Sequence, residues 1–436
     1  MIRIISLLLI CLGTVIIPQS LLSQDKLKAK VDALADDIEK DVIAWRRHIH
    51  QNPELSNREF QTAEMIAAHL KSLGIEVQTG VAHTGVVGLL KGGKPGPVVA
   101  LRADMDALPV TERVDVPYAS KVKATYNGQE VGVMHACGHD THVAILMGVA
   151  QLFSGMRKQL PGTIKFIFQP AEEGAPKGEE GGAELMVKEG VMTNPTVDAV
   201  FGLHISSGTE VGQINYRPGG AMASADGLEI NVKGKQTHGA RPWGGADPIV
   251  ASAQIIMGLQ TIVSRRIDLT ENAAVVTIGG IHGGVRGNII PEEVKMIGTI
   301  RALHPEMQKE VHELIHQTVT NIAAAAGVEA EVIISRGYPV TYNNPTLTAQ
   351  MLPTLQEAAG AENVNLVNAI TGAEDFSFLG MEAPGLFIFL GGMPKGTNPS
   401  EAAPHHTPDF FIDDSGLKLG VRTLSYLTLD YMRNNQ

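Results

Sequence analysis

The chain has 436 residues, of which 44% are hydrophobic and 19% charged, enough for sizeable cores in two or three domains and too apolar for a disordered chain. Its net charge is −11 and no basic run offsets it, which argues against nucleic acid and anionic membranes as partners. Only two cysteines occur, Cys11 and Cys137, so a disulfide framework is excluded.

Arg3 precedes an uncharged, mostly apolar run from Ile4 to Ile17, which Pro18 breaks and the small residues Ser20 and Ser23 follow. The run is short for a bilayer span and suits the core of a signal peptide covering residues 1–23. The competing reading is an uncleaved anchor. Cleavage predicts a soluble, exported chain, periplasmic or extracellular, with Cys137 as its one thiol. A lone thiol in an oxidising compartment calls for an occupant.

Leu27, Val31, Leu34, Ile38, Val42, Trp45 and Ile49 then recur at helical spacing, and residues 62–73 read as a second helix stopped by Gly74. Short apolar runs follow at 85–90, 97–103, 163–169 and 197–205, with a helical stretch at 141–153. The pattern returns at 385–392 and in a last helix from Leu417 to Tyr431. This alternation predicts an α/β layer with a largely parallel sheet, assigned to residues 24–220 and 336–436. Between them, strand patterns at 227–234, 273–281, 294–303 and 328–335 and helix patterns at 247–266 and 306–327 fall in the order β-α-β-β-α-β. That is the split unit of a ferredoxin-like sandwich, here an inserted lobe over residues 221–335. Such an insertion makes a two-lobed protein with a cleft.

Polar chemistry gathers where the apolar runs end. Asp104 and Asp106 follow the second run; Cys137, His139, Asp140 and His142 crowd into HACGHDTH just before a helix. Glu172 and Glu173 follow the third run, His204 ends the fourth, and His405 and His406 come after the last. In an open α/β sheet, ligands bind beyond the carboxyl ends of strands, so residues distant in sequence meet at one edge. Thiolate, imidazole and carboxylate together suit a borderline-soft divalent ion such as zinc, which would also occupy Cys137. Singly, each has a bland alternative: a hydrogen-bonded strand-end His, a turn-capping Asp, a solvated pair of glutamates, a buried core Cys. Adjacent side chains in an extended or turning segment diverge, so one of Glu172 and Glu173 can hold a metal while the other serves as a general base. Spacing leaves open which does which.

LRADMDALP (101–109), HACGHDTH (135–142), PAEEG (170–174), THGARPWGGADP (237–248) and GNIIPEE (287–293), joined by RRHIHQNPELS (46–56) and GAEDFSFL (372–379), together resemble one family. It is the two-metal amidohydrolase group of aminoacylases, hippurate hydrolases and indole-acetyl-amino-acid hydrolases, within the twentieth metallopeptidase family. The ordered set spans the chain from about residue 38 to its end. The resemblance implies a metallopeptidase-like catalytic domain and two divalent ions per chain, zinc, manganese or cobalt. Cys137, His139, Glu173, His204 and His406 look like the ligands; His406 is preferred to adjacent His405 because Thr407-Pro408 follows it, as in the family. Glu172 looks like the general base. His238 resembles a histidine that reaches a neighbouring subunit's site to stabilise the oxyanion, and Asn288 and Arg301 resemble substrate-holding residues of the lobe. GAPKGEE (174–180) is longer than the family's usual connection and would alter the cleft rim. The implied reaction is hydrolysis of an N-acyl amino acid by a homodimer. A dipeptidase or carboxypeptidase with the same centre is the near alternative, and a non-catalytic two-lobed binding protein the distant one.

Overall fold

The computed structural model describes residues 19–435. The expected signal peptide lies outside them, apart from Gln19–Ser23, which open the first helix, Gln19–Gln51. Among the described residues no helix is long and apolar enough to cross a membrane.

An eight-stranded sheet runs in the order Glu76–Val81, Gly85–Lys91, Pro161–Gln169, Lys94–Asp104, Ala199–Glu210, Gly385–Met393, Ile214–Tyr216, Val364–Leu366. The four central strands, Pro161–Gln169 to Gly385–Met393, are mutually parallel. Towards the edges, Gly85–Lys91 pairs antiparallel on one side and Ile214–Tyr216 on the other. The sheet is therefore mixed rather than largely parallel. Gly85–Lys91 runs on into Lys94–Asp104 and Ala199–Glu210 into Ile214–Tyr216 over two or three residues, links that reverse the chain and are too short for a helical crossover, so each flanking strand lies antiparallel to the central four. The central strands read as near-continuous apolar runs, interrupted by buried Arg102 and Lys165, because both faces are covered. The helix His139–Ser154 lies on one face and is buried almost all round, packed with Gln19–Gln51 and Leu417–Asn434.

The inserted lobe has its own four-stranded antiparallel sheet, ordered Ala274–Gly283, Glu293–Ala302, Ala225–Lys233, Glu329–Tyr338. Helices Pro248–Arg265 and Pro305–Ala326 cover one face. The first starts where Asp247 accepts from the backbone N–H groups of Ile249 and Val250, with Pro248 behind it; the second stops at Gly327 in the left-handed region (φ 69°). Leu228, Ile230, Ile255, Leu259, Met296, Ile300, Val311 and Ile315 form a core separate from that of the larger sheet. The lobe is tied down at the domain junction: Ser224 N–H donates to Ala302 O (2.9 Å) and Gly337 N–H to Asp226 Oδ1 (3.2 Å).

Candidate metal centre

The four parallel strands deliver the polar residues to one edge of the sheet. Asp104 closes Lys94–Asp104, and Glu172 and Glu173 follow Pro161–Gln169. His204 lies inside Ala199–Glu210 rather than at its end, because that strand runs on beside Gly385–Met393 to Glu210. Its pairing with Lys94–Asp104 stops at Gly202, so His204 still emerges at the sheet's local margin.

Beneath the cluster sits Arg102, fully buried on the apolar strand. It donates to Gln169 Oε1 (2.8 Å), Asp104 Oδ2 (2.7 Å), Glu374 Oε1 (2.8 Å) and Asp375 Oδ1 (2.8 Å). A buried guanidinium is tolerable only with such full pairing. Burial works to raise Asp104, but Arg102, His139 and His142 outweigh it and hold its carboxyl well below the usual range. His142 Nδ1–H donates to Asp104 Oδ1 (2.5 Å) while its Nε2 accepts from the Ile205 backbone N–H (2.8 Å). Both ring nitrogens of His142 are thus engaged, and it positions Asp104 rather than facing an ion.

Cys137 and His139 flank Gly138, whose φ of 91° is left-handed and where an added Cβ would stand 2.3 Å from Ile205 Cγ2. Only glycine lets the loop turn so close to the strand that bears His204. His139 Nδ1 donates to Asp106 O (2.9 Å), which leaves Nε2 as the bare nitrogen. Nε2 is buried without a hydrogen-bond partner, 3.8 Å from Asp104 Oδ2 and 3.9 Å from both Glu172 Oε2 and Glu173 Oε1. Burial lowers His139, yet Asp104 and Asp106 prevail and raise it to about 10, so this pocket draws a positive charge, a proton or a metal ion. His204 repeats the pattern. Its Nδ1 donates to Ile205 O (2.6 Å) and its Nε2 stands 3.3 Å from Cys137 Sγ.

His406 Nε2 lies 3.3 Å from Cys137 Sγ and 3.1 Å from Glu173 Oε1, with its backbone in the left-handed region (φ 63°). His405 is placed otherwise: its Nε2 accepts from Ser207 N–H (3.3 Å), so Nδ1 carries the proton and faces Cys137 Sγ at 3.7 Å. Burial, with His406 nearby, pushes His405 down to about 4, which keeps that ring neutral. The geometry favours His406 as ligand and His405 as a donor to the sulfur. Burial pushes the Cys137 thiol up, and Glu173, Glu172 and Asp104 add to it, so a thiolate here requires a cation beside it. Ligand atoms of Cys137, His139 and Glu173 lie within 4.8 Å of one another, as do those of Cys137, His204 and His405. The orphaned His139 nitrogen and this S, N and O donor set fit divalent metal.

The two glutamates diverge at a turn clamped by Asp106, which accepts from the N–H of Glu172 (Oδ1, 3.1 Å) and of Glu173 (Oδ2, 3.1 Å). Ala171 before them takes φ 52° and donates its N–H to Glu59 Oε1 (3.0 Å). Glu173 faces His139 and His406; Glu172 turns toward Glu374 and Asp375, accepting from Asp375 N–H at 3.4 Å. Burial, then the charges of Glu374, Glu173, Asp375 and Asp104, raise the Glu172 carboxyl well above its ordinary value. Cys137, Glu172, Glu173, His204 and His406 border a cavity of about 390 Å³ whose remaining wall includes Ile205, Met222, Tyr338, Ile370, Gly372 and Phe389.

The lobe residues do not reach this cavity. His238 is exposed on a two-residue strand, Thr237–His238, beside Asn288, whose O accepts from Gly239 N–H (2.8 Å). Arg301 stands near the opposite end of Glu293–Ala302, donating to Thr299 Oγ1 (2.5 Å) and Ile300 O (3.0 Å). At about 3.3 Å per residue the strand separates Arg301 from the His238 end by roughly 25 Å.

Sequence reasoning left several site residues without a role. Arg102 carried a signal, a lone charge in an otherwise apolar buried strand. Glu374 and Asp375 lay in the quoted GAEDFSFL without one. Arg46 and His50, from RRHIHQ, pair with Asp140 at 2.7 and 2.9 Å and fix the first turn of the helix that begins at His139. No local spacing announces that contact, because it joins elements about ninety residues apart.

The chain is similar to known proteins. The profile of Peptidase family M20/M25/M40 matches residues 100–430. The chain is 42% identical over 397 residues to "Thermostable carboxypeptidase 2" of Saccharolobus solfataricus, covering 91% of this chain and 96% of that protein. It is 38% identical over 391 residues to "N-acetylcysteine deacetylase" of Bacillus subtilis, covering 89% and 96%. The crystal structure of the Bacillus subtilis YXEP protein, described as a dinuclear metal binding peptidase from the M20 family, superposes with a TM-score of 0.76. It has 34% identity and covers 91% of this chain and 99% of that one.

Proposed function

Since the chain belongs to Peptidase family M20/M25/M40 and is a metal-dependent amide hydrolase, we propose that it cleaves N-acyl amino acids into a carboxylate and a free amino acid. The observation that carries this reading is the bare, buried His139 Nε2 among Asp104, Glu172 and Glu173, one turn away from Cys137. Cys137, His139, Glu173, His204 and His406 would hold two divalent ions, zinc, manganese or cobalt. When bound, these supply the Lewis acidity that activates water and polarises the amide carbonyl.

The chain's own groups then move protons and hold substrate. Glu172 takes a proton from the attacking water and later passes it to the leaving amine, and its raised affinity for a proton suits that return. Tyr338 Oη donates to Glu172 O (2.6 Å) and steadies the turn. Apart from the ligands, the cavity wall is mainly apolar, with Ile205, Met222, Ile370 and Phe389 and neither Lys nor Arg, which suits an uncharged acyl group. Arg301 lies at the end of the lobe nearest its own catalytic domain, where Ala302 O accepts from Ser224 N–H; outside the cavity in this structure, its fork would meet the substrate carboxylate as the lobe closes on the centre.

His238 and Asn288 are at the other end of the lobe, so the reading assigns them to a neighbour's site in a homodimer. Two features support this. Ala274–Gly283 is an edge strand with free hydrogen-bonding groups, and Met257, Ile281, Trp243 and Val285 are exposed on the same lobe. Residues 1–23 read as a signal peptide, so the enzyme is assigned to the periplasm or exterior. The carboxypeptidase relative favours a second reading, peptide cleavage at the same centre. Metal-reconstituted protein assayed on N-acetyl, N-benzoyl and dipeptide substrates decides. Faster turnover of dipeptides than of every N-acyl amino acid overturns the first reading.

A further inference from the structure

A second cavity, at the domain junction, measures about 550 Å³ and shares no lining residue with the catalytic cavity. Its walls come from both lobes: Lys309 on the lobe helix, Arg336 at the end of the lobe's last strand, Pro339 and Val340 in the return segment, and Ser377 and Phe378 on the catalytic helix Phe376–Glu382.

The chemistry of this hollow is lopsided. Lys309 and Arg336 form no hydrogen bond or ion pair with any described residue. Glu184, the one carboxylate among the lining residues, pairs with Lys188 (3.1 Å), and Asp226 behind the wall accepts from Gln308 and His312 (2.8 Å each), while Glu306 sits in the first turn of the lobe helix. Pro305 puts the positive end of a 22-residue helix dipole at the same wall. The hydroxyl of Ser377, a residue only 2% exposed, is buried with no partner. A buried hydroxyl without a partner is costly, and native structures seldom leave one unmet. The remaining wall is apolar, with Pro339, Val340, Phe378 and Met381, the last 69% exposed in a position where a ligand would cover it.

We propose that this junction cavity binds an amphipathic organic monocarboxylate, its charge between Lys309 and Arg336 and its apolar body against Phe378 and Met381. A divalent or purely inorganic anion would leave the apolar wall wet; an amine would meet two like charges. Such a ligand would touch the lobe and the catalytic domain at once. It would lie one side chain from the centre, because Phe378 packs edge-on against Tyr338 (6.3 Å), which bonds the backbone of Glu172. The site is independent of which amide the enzyme cleaves.

The test uses the metal-loaded full chain and 4-phenylbutyrate, with 4-phenylbutylamine and 4-phenylbutanamide as charge controls. Calorimetry should show saturable binding of the carboxylate that Lys309→Glu and Arg336→Glu each weaken at least about tenfold, the scale of one charge-assisted hydrogen bond. Amine and amide should bind at least about tenfold more weakly to the wild type on the same scale. A crystal soaked in the carboxylate should show it between Lys309 and Phe378. Both variants should retain amide hydrolysis, which certifies their folding. Unchanged affinity in both variants, equal binding of the amine, or density confined to the Cys137 cluster overturns the proposal.

Discussion

The two lobes treat their candidate site residues in opposite ways. In the catalytic domain the charged groups are buried and mutually paired: Arg102 with three carboxylates, Asp104 with His142, Asp106 with the turn that bears both glutamates. In the inserted lobe His238 and Asn288 are exposed, and His238 Nδ1 only accepts from Ala240 N–H two residues on (3.0 Å). The first arrangement is held by its own pairs, apart from the bare His139 nitrogen and Cys137, which await a cation. The second is a set of groups awaiting a surface. In the proposed dimer, an active site split in this way would keep its electrostatics rigid while the group that meets the developing charge arrives from the neighbouring subunit.

The comparison breaks first at Glu172. If the catalytic domain is complete in its proton chemistry, Glu172→Gln should lower kcat by about 10³-fold, within the usual range for a general base, while elemental analysis shows metal retained. Glu173→Gln should lower metal content instead. The opposite pattern would exchange their roles.

His238 tests the other half. His238→Ala should cost roughly 10²-fold in kcat, the scale of one oxyanion donor, with metal content unchanged. Mixed with Glu172→Ala by unfolding and reassembly, it should regain activity. About half the dimers are then mixed, each with one site that holds both residues, so recovery should approach roughly a quarter of wild type. Verified subunit mixing without recovery would return His238 to its own chain.

How much of this was legible beforehand follows the same divide. The β-α-β-β-α-β order of the lobe and the strand-end gathering of Cys137, His139, Glu172, Glu173 and His204 were readable, because period and strand ends are local properties of sequence. Between His405 and His406 the sequence offered only the family-like Thr407-Pro408 that made His406 the choice; the physical distinction, Ser207 N–H taking one nitrogen of His405, is a tertiary contact that spacing does not show. Nor was the distance of Arg301 from His238 readable, because residues that the resemblance assigned to one reaction lie toward opposite ends of the lobe. The antiparallel flanks of the large sheet were missed for a related reason: an apolar run states burial, not direction.

A smaller effect belongs to the acyl pocket. An added Cβ at Gly372 would meet only Met222 Cε at 3.6 Å and Ile370 Cδ1 at 3.9 Å, ordinary contact distances, and no left-handed φ opposes a side chain there. Gly372→Leu should therefore fold and fill the cavity. Its kcat/KM for N-benzoyl amino acids should fall at least about tenfold relative to N-acetyl ones, as expected when a few methylenes of room are removed. An unchanged ratio would place the acyl group elsewhere.

The smallest effect contrasts how the two lobes are tied to pH. Burial works to lower His50, but Asp140 and Glu112 hold it and raise its value above the ordinary 6.5. Its folded form thus binds more protons than its unfolded form, and stability falls with rising pH. The contribution is whole below about 6.5 and is lost as pH rises through the folded value. Asp226, at the lobe junction, goes the other way. Burial raises it, yet hydrogen bonds from His312 and Gln308 prevail and hold it below the ordinary 3.8. Its contribution is whole above that value and lost as pH falls through the lower folded one. Thermal melts of metal-free protein across pH should therefore show His50→Gln flattening the alkaline limb and Asp226→Asn the acid limb. The subtraction from wild type removes the titration of groups common to both. Should both variants flatten the same limb, the pairing of one lobe through an imidazolium and the other through a carboxylate would be wrong.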